Sequence, residues 1–319
     1  MKHHANPRRG ILTRALSLAL AGAAVTALVA GCATEATPAG SGGSGNGGRI
    51  QVVAAENFWG SLAGQLGGEH VAVHNVIDSP SADPHDYEPT AADGRAMAGA
   101  QLAIVNGIGY DAWAGKLVSA NPSEDRTVLT VGDLVGVHPG GNPHRWYSPT
   151  DVRAVIDRIT ADYKKIDPKH ASFYATQHDT VVDTNLKQYF GLVDRITSTY
   201  GGTPVGASES IFAPLADATG LQLRTPASFL NAISEGTDPT AADKRTADRQ
   251  IAQRQIKVYV YNSQNATPDV QAQVRAAKAK DIPVATVTET LTPAGASFQR
   301  WQVAQLKALL AALHQGTGK

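Results

Sequence analysis

The chain has 319 residues, 42% hydrophobic and 18% charged, a balance that excludes both a disordered polyelectrolyte and a protein built of membrane spans. Lysine plus arginine equals aspartate plus glutamate at 28 each, and a chain without a basic excess is no general binder of phosphate backbones, so no nucleic-acid partner is expected. A single cysteine, Cys32, excludes a disulfide framework and a thiolate zinc cluster.

The zero net charge conceals an asymmetry. Residues 1–31 carry Lys2, Arg8, Arg9 and Arg14 and no acid, which leaves 24 basic against 28 acidic residues in the remainder. The basic start is followed by the apolar run ALSLALAGAAVTALVA at 15–30, shorter than the roughly 20 residues a spanning helix needs. A cationic head, an apolar middle and small residues before a cut describe a secretory signal peptide. Arg8-Arg9 hints at twin-arginine export, but the residues around the pair match that signal poorly. Val29-Ala30-Gly31-Cys32 resembles the bacterial lipobox, in which the cysteine is acylated and becomes the new N-terminus. Residues 33–48, ATEATPAGSGGSGNGG, have too little apolar content to bury and read as a flexible tether. The glycines there lack the Lys-Ser/Thr ending of a phosphate loop. The expectation is an exported domain, lipid-anchored through Cys32 to the outer face of the cytoplasmic membrane, with signal peptide at 1–31 and anchor plus linker at 32–49.

The folded part opens with a β-rich run, IQVVAA at 50–55, then a helix-like segment at 58–66 and a second strand, VAVHNVI, at 71–77. Helix is predicted at 91–100, strand at 101–106, helix at 111–120 and strand at 126–131. Strands that alternate with helices imply βαβ units and a mainly parallel sheet. From 149 to 200 the pattern is helical throughout. Val182, Leu186, Tyr189, Val193 and Ile196 recur at steps of four and three, one apolar stripe along a long helix. Alternation then resumes, with strands at 203–207, 256–261 and 282–287 and helices at 211–218, 241–255 and 268–279. A last helix at 298–314 places Trp301, Leu306, Leu309 and Leu313 on one face. The expected fold class is α/β: two lobes, each a mainly parallel sheet flanked by helices, at 50–177 and 200–319, joined by one long rigid helix at 178–199.

Two histidines stand in distinctive settings, His85 in Asp83-Pro84-His85-Asp86 and His144 in Asn142-Pro143-His144-Arg145. Each follows a proline, which fixes the local backbone and so aims the side chain. Glu209 follows the strand at 203–207, and Glu289 directly follows the strand at 282–287. Ligands of open α/β sheets gather at such loops beyond the strands' carboxyl ends. Two imidazoles and two carboxylates make a four-ligand set whose charge offsets a divalent cation. For any one of these residues alone, a surface polar group is the better reading, and the spacing matches no local metal motif.

DPHDYEPT at 83–90, VNGIGYDAW at 105–113, NPHRWYSP at 142–149 and ESIFAPLADATGL at 209–221 together resemble the zinc/manganese solute-binding lipoproteins of bacterial ABC importers. The similarity runs over residues 50–314. It implies that His85 and His144 are the first and second metal ligands, Glu209 the third and Glu289 the fourth. The third position is His in many zinc importers and Glu in many manganese importers. The fourth is usually Asp, so Glu289 is a departure, as is Pro214 in place of an aromatic. The family's zinc members often carry a His-rich loop, and here only His138 precedes the second motif. Harder oxygen donors suit Mn²⁺, while intrinsic affinity favours Zn²⁺. The resemblance implies a monomeric, non-enzymatic binding protein. It captures Mn²⁺ or Zn²⁺ as transported ligand between its lobes and delivers it to an ABC permease with its ATPase. It also implies a stiff connecting helix, so closure is modest. Binding to neutral imidazoles predicts that affinity falls below about pH 6.5.

The competing readings are an exported metallohydrolase and a metal-storage or adhesin surface protein. A catalytic metal keeps an open position, for which four protein ligands leave little room. Gly206-Ala207-Ser208-Glu209-Ser210 does not match the nucleophile turn of serine hydrolases, and Gly107-Ile108-Gly109 lacks the third glycine of a dinucleotide fingerprint. His70, His74, His170, His178 and His314 lack comparable settings and read as surface or core polar groups. Glu88, three residues after His85, reads as a capping or hydrogen-bonding residue, and Tyr87 and Trp146 as walls against solvent.

Overall fold

The structure is a computed structural model that describes residues 48–80, 82 and 87–319. The signal peptide, Cys32, most of the linker and His85 lie outside the described residues.

The first lobe runs β1 (Ile50–Glu56), α1 (Asn57–Gly67), β2 (Val71–Ile77), α2 (Ala91–Ala98), β3 (Leu102–Val105), α3 (Ala112–Ala120), β4 (Thr127–Thr130) and the short α4 (Val131–Val135). Its strands are all parallel, in the order β2-β1-β3-β4. Val52, Val53 and Ala54 are buried on both faces of β1, which is why these strands read as continuous apolar runs rather than alternating ones. The cap of α2 is a reciprocal box between Thr90 and Asp93, with Tyr87 donating to Asp93 at 3.0 Å. Glu88, beside them, is exposed and takes no part in that box.

Helices α5 (Pro149–Ile166), α6 (Ala171–Asp179) and α7 (Lys187–Tyr200) follow. Between α6 and α7, Thr180–Asn185 forms a π-helical turn, with Leu186 N–H donating to the Val181 carbonyl at 2.9 Å. The wider turn inserts one residue into the helical register. The predicted stripe therefore holds at Leu186, Tyr189, Val193 and Ile196, but Val181 is buried in the core in place of Val182, which is only half-buried.

The second lobe contains β5 (Pro204–Ala207), α8 (Ala213–Ala218), β6 (Gln222–Leu223), α9 (Ala227–Ser234), α10 (Ala241–Ala252), β7 (Val258–Asn262), α11 (Pro268–Ala279), β8 (Val284–Val287) and α12 (Phe298–Thr317). Its sheet repeats the pattern of the first, parallel in the order β6-β5-β7-β8. The fold is thus two four-stranded parallel sheets flanked by helices. In each sheet the chain order reverses about the first strand, β1 or β5, which opens a crevice at the carboxyl ends there.

One hydrophobic core runs through both lobes, from Ile50 and Phe58 to Trp301 and Leu313. Phe58 stacks on Trp146 at 4.0 Å. Tyr147 hydroxyl donates to the Thr288 carbonyl at 2.9 Å, and Trp301 indole N–H to Thr288 Oγ1 at 2.7 Å. The polar tips of both Tyr147 and Trp301 are thereby satisfied, and the Tyr147–Thr288 bond ties the lobes together just beyond the carboxyl end of β8. Among the described residues no helix is long and apolar enough to cross a membrane.

Candidate metal centre

Three of the four residues singled out in the sequence meet between the lobes. One potential ligand atom each of His144, Glu209 and Glu289 lies within 4.8 Å of the others, and all three side chains are buried. Glu209 sits two residues beyond the end of β5 and Glu289 two beyond β8. His144 comes from the loop that leads into α5.

His144 is aimed by its loop. Asn106 Nδ2 donates to the Pro143 carbonyl at 2.9 Å, and Asn106 in turn accepts from the Trp59 indole at 3.1 Å. Asn142 Nδ2 donates to the Ser210 carbonyl across the lobes at 2.7 Å, which turns Asn142 Oδ1 toward the imidazole, 2.9 Å from Nδ1. An amide oxygen facing Nδ1 places the ring proton there, so Nε2 carries the lone pair. That Nε2 is buried and makes no hydrogen bond. Its approach to Glu289 Oε2, at 3.6 Å, is too long for one. Burial pushes the imidazole down to about 4, so at neutral pH this contact is not an ion pair. Trp146 lies edge-on to the ring at 5.2 Å and is fully buried, the solvent wall expected of it.

Two carboxyl groups face this lone pair. Glu209 Oε1 accepts from Asn262 Nδ2 at 2.8 Å and Oε2 from Asn265 Nδ2 at 2.6 Å. Glu289 Oε1 accepts from the same Asn262 Nδ2 at 3.0 Å, and Oε2 from the Tyr110 hydroxyl at 2.9 Å. Asn262 thus holds both acids with one amide. Burial first, and then the negative field of Glu289, push Glu209 up to about 8. Burial and Glu289 also drive the Tyr110 phenol well above its usual value, which keeps it a donor.

These supporting amides and the phenol were not singled out in the sequence. Tyr110 had a signal in Gly107-Ile108-Gly109: Gly107, Ile108 and Gly109 all have positive φ, a tight loop stapled by Asp111, which accepts from the N–H groups of Asn106 and Gly107 at 2.7 Å each. A side chain at Gly107 would strike Thr130 Cγ2. Asn262 and Asn265 had none, since isolated asparagines after a strand are ordinary turn residues. His85 lies outside the described residues, on the segment between β2 and α2.

A buried lone pair with no donor and two crowded carboxyls are each unfavourable alone. Together they bring close one nitrogen and two oxygen donors, a set of the kind that could hold a divalent cation.

Comparison with known proteins shows the family and the fold. A model of the family described as zinc-uptake complex component A periplasmic (ZnuA) matches residues 52–312. The manganese-binding lipoprotein MntA of Halalkalibacterium halodurans is 25% identical over 179 residues, 54% of this chain and 57% of that protein. The manganese ABC transporter substrate-binding lipoprotein PsaA of Streptococcus pneumoniae is 27% identical over 164 residues, 47% of this chain and 50% of that protein. The chain thus spans about half the length of these two curated relatives. The metal ABC transporter substrate-binding lipoprotein FimA of Streptococcus parasanguinis is 24% identical over 260 residues, 76% of this chain and 80% of that protein. A Mn-bound periplasmic metal binding protein of Candidatus Liberibacter asiaticus superposes with a TM-score of 0.70 at 18% identity, over 83% of this chain and 99% of that one. That last likeness is one of fold.

Proposed function

The chain belongs to the family of the periplasmic component A of zinc-uptake complexes, and from that premise we propose that it captures Mn²⁺ or Zn²⁺ between its lobes and delivers the ion to an ABC permease driven by an ATPase. The ligands are His144, Glu209 and Glu289, with His85 closing the set from the segment between β2 and α2. The observation that carries this reading is the buried Nε2 of His144, which has a lone pair, no hydrogen-bond donor, and two carboxyl groups within ligand distance. The lipobox at Cys32 supports an exported protein held at the outer face of the cytoplasmic membrane by a lipid, working there as a monomer. On this proposal the chain divides into a first lobe at 50–177, a connecting helix at 178–199 that carries the π-turn Thr180–Asn185, and a second lobe at 200–319. The continuous aromatic core beneath the site favours modest closure, because a wide hinge would tear Phe58 from Trp301 and Tyr147 from Thr288.

A transport role fits these donors better than catalysis. Four protein ligands fill a tetrahedral shell, and metal hydrolysis needs a vacant position for water. Glutamate at the third position favours Mn²⁺ among the candidates, in line with the relatives named for manganese.

Calorimetry on the metal-stripped protein tests the reading. Mn²⁺ and Zn²⁺ should each saturate a tight site between the lobes, and His85→Ala should weaken that site. Absence of binding by either ion refutes the function; unchanged binding in His85→Ala refutes that ligand. Asn262→Ala probes the support of the site. Residues that orient metal ligands typically govern affinity by about 10- to 100-fold, and Asn262 orients two at once. A loss in that range is expected, and wild-type affinity would show that the acids hold themselves.

A further inference from the structure

Far from the crevice, three more potential ligands converge on the opposite rim of the first lobe: His70, Asp167 and His170. His70 ends the turn Gly68–His70 that feeds the amino end of β2, and His170 ends the turn Pro168–His170 between α5 and α6. Helix α5 starts beside His144 and has 18 residues, a length of about 27 Å at 1.5 Å per residue, so this rim is a separate place.

The three offer one ligand atom each within 4.8 Å of one another. Asp167 Oδ2 lies 2.6 Å from His170 Nδ1, and Tyr174 hydroxyl donates to the same oxygen at 2.9 Å. The imidazoles of His70 and His170 stack at 4.0 Å, and Phe173 packs edge-on against His70 at 4.5 Å. An Asp–His pair on a turn is common and accounts for His170. It does not account for His70, which Phe173 pins against that pair.

From this constellation we infer a second metal site, open to solvent, in which His70, Asp167 and His170 bind Zn²⁺ with water in the fourth position. Two nitrogens and one oxygen are a zinc donor set. Ligand atoms around tetrahedral zinc stand about 3.3 Å apart, so entry of the ion requires only side-chain adjustment from the spacing seen. His170 keeps 45% of its side-chain surface exposed and Asp167 18%, which provides the entry path. Tyr174 orients the carboxylate as hydrogen-bonding partners of metal ligands do. Nothing in this site depends on the role of the crevice.

Equilibrium dialysis of the full chain against Zn²⁺, with bound metal counted, tests the inference. His144→Ala separates the two sites by disabling the buried one, and one bound Zn²⁺ should survive in it. Adding His170→Ala or His70→Ala to that variant should abolish the remaining ion. Both residues lie at the surface or half-buried, so folding is preserved. Tyr174→Phe in the same background should keep the ion with about 10-fold weaker binding. If no ion survives in His144→Ala, or if an ion survives removal of either histidine, the site is overturned. The single variants His70→Ala and His170→Ala in the otherwise intact chain should each lose one ion relative to wild type. This comparison holds whatever the buried site binds and guards against misfolding of His144→Ala.

Discussion

Glu289→Gln should bind Mn²⁺ or Zn²⁺ about 100-fold more weakly than the wild-type chain, and its metal-free form should melt higher. The two halves share one cause. Structural zinc sites with four protein ligands bind with roughly 10–16 kcal/mol. One ligand of four then carries about 3 kcal/mol, or about two powers of ten. An amide is a poor substitute for a carboxylate on a transition metal, and the net charge of the donor set falls by one. In the metal-free protein the same change removes a conflict. The substituted amide retains an oxygen to accept from Asn262, while one N–H faces the orphaned Nε2 of His144, where the native Glu289 Oε2 sits 3.6 Å away as one acceptor against another, and the other faces the Tyr110 hydroxyl, which must turn from donor to acceptor. Satisfying a buried acceptor is worth about 1–3 kcal/mol, and for a domain of this size each kcal/mol raises the melting temperature by about 2–4 °C. Calorimetric titration and a thermal melt of the same two proteins check both halves. A variant that binds metal normally refutes Glu289 as a ligand. One that binds weakly and also melts lower shows that Glu289 was stabilising the empty site, and the account of a strained donor set fails.

The sequence foreshadowed this site unevenly, for physical reasons. β2 was readable to the residue because VAVHNVI is a dense β-branched run with turn residues on both sides. β6 was not, since two residues, Gln222 and Leu223, carry no periodicity and pair with β5 only because the fold brings them there. α9 is two turns long and starts after Pro226, too short for a stripe to declare itself. The π-turn at Thr180–Asn185 moved the buried position from Val182 to Val181, a shift of one residue that 3.6-residue periodicity cannot encode. Proline and strand ends marked the histidine and the acids of the site, but alone they read as surface polar groups, and it was the resemblance of their motifs to the metal-importer lipoproteins that implied a ligand set. Asn142, Asn262, Asn265 and Tyr110 were not, because what singles them out is the direction of a hydrogen bond to a residue distant in the chain or, for Asn142, a tautomer. The sequence also ascribed pH sensitivity to the imidazoles. Burial reverses that for His144, which stays neutral far below pH 6.5, and passes the sensitivity to the paired acids.

Metal binding at pH 7 should therefore release about one proton, and affinity should fall from pH 8 downward rather than from 6.5. With Glu209 pushed up to about 8 by burial and by Glu289, about nine-tenths of the metal-free molecules hold that proton at pH 7, and the ion must displace it. Between pH 8 and pH 6 this one group lowers the apparent affinity about 50-fold. His144, held down to about 4, adds nothing above pH 5. The stability of the metal-free protein follows the same groups. Glu209 has a folded value above its unfolded one, so its contribution is fully present below about 4.5 and is lost as pH rises through 8. His144 has a folded value below its unfolded one, so its contribution is present above about 6.5 and is lost as pH falls toward 4. Of these two groups, Glu209 dominates the change from pH 6.5 to 8, and through it the metal-free melting temperature should drop over that interval while the stabilisation by bound metal grows. Titration in buffers of different ionisation enthalpy counts the proton directly. In Glu289→Gln the count should shrink, because the field of the second carboxylate is gone and only burial still raises Glu209. A pH profile flat from 8 to 7 with its break near 6.5 would return control to the imidazoles and contradict the coupling of the two acids.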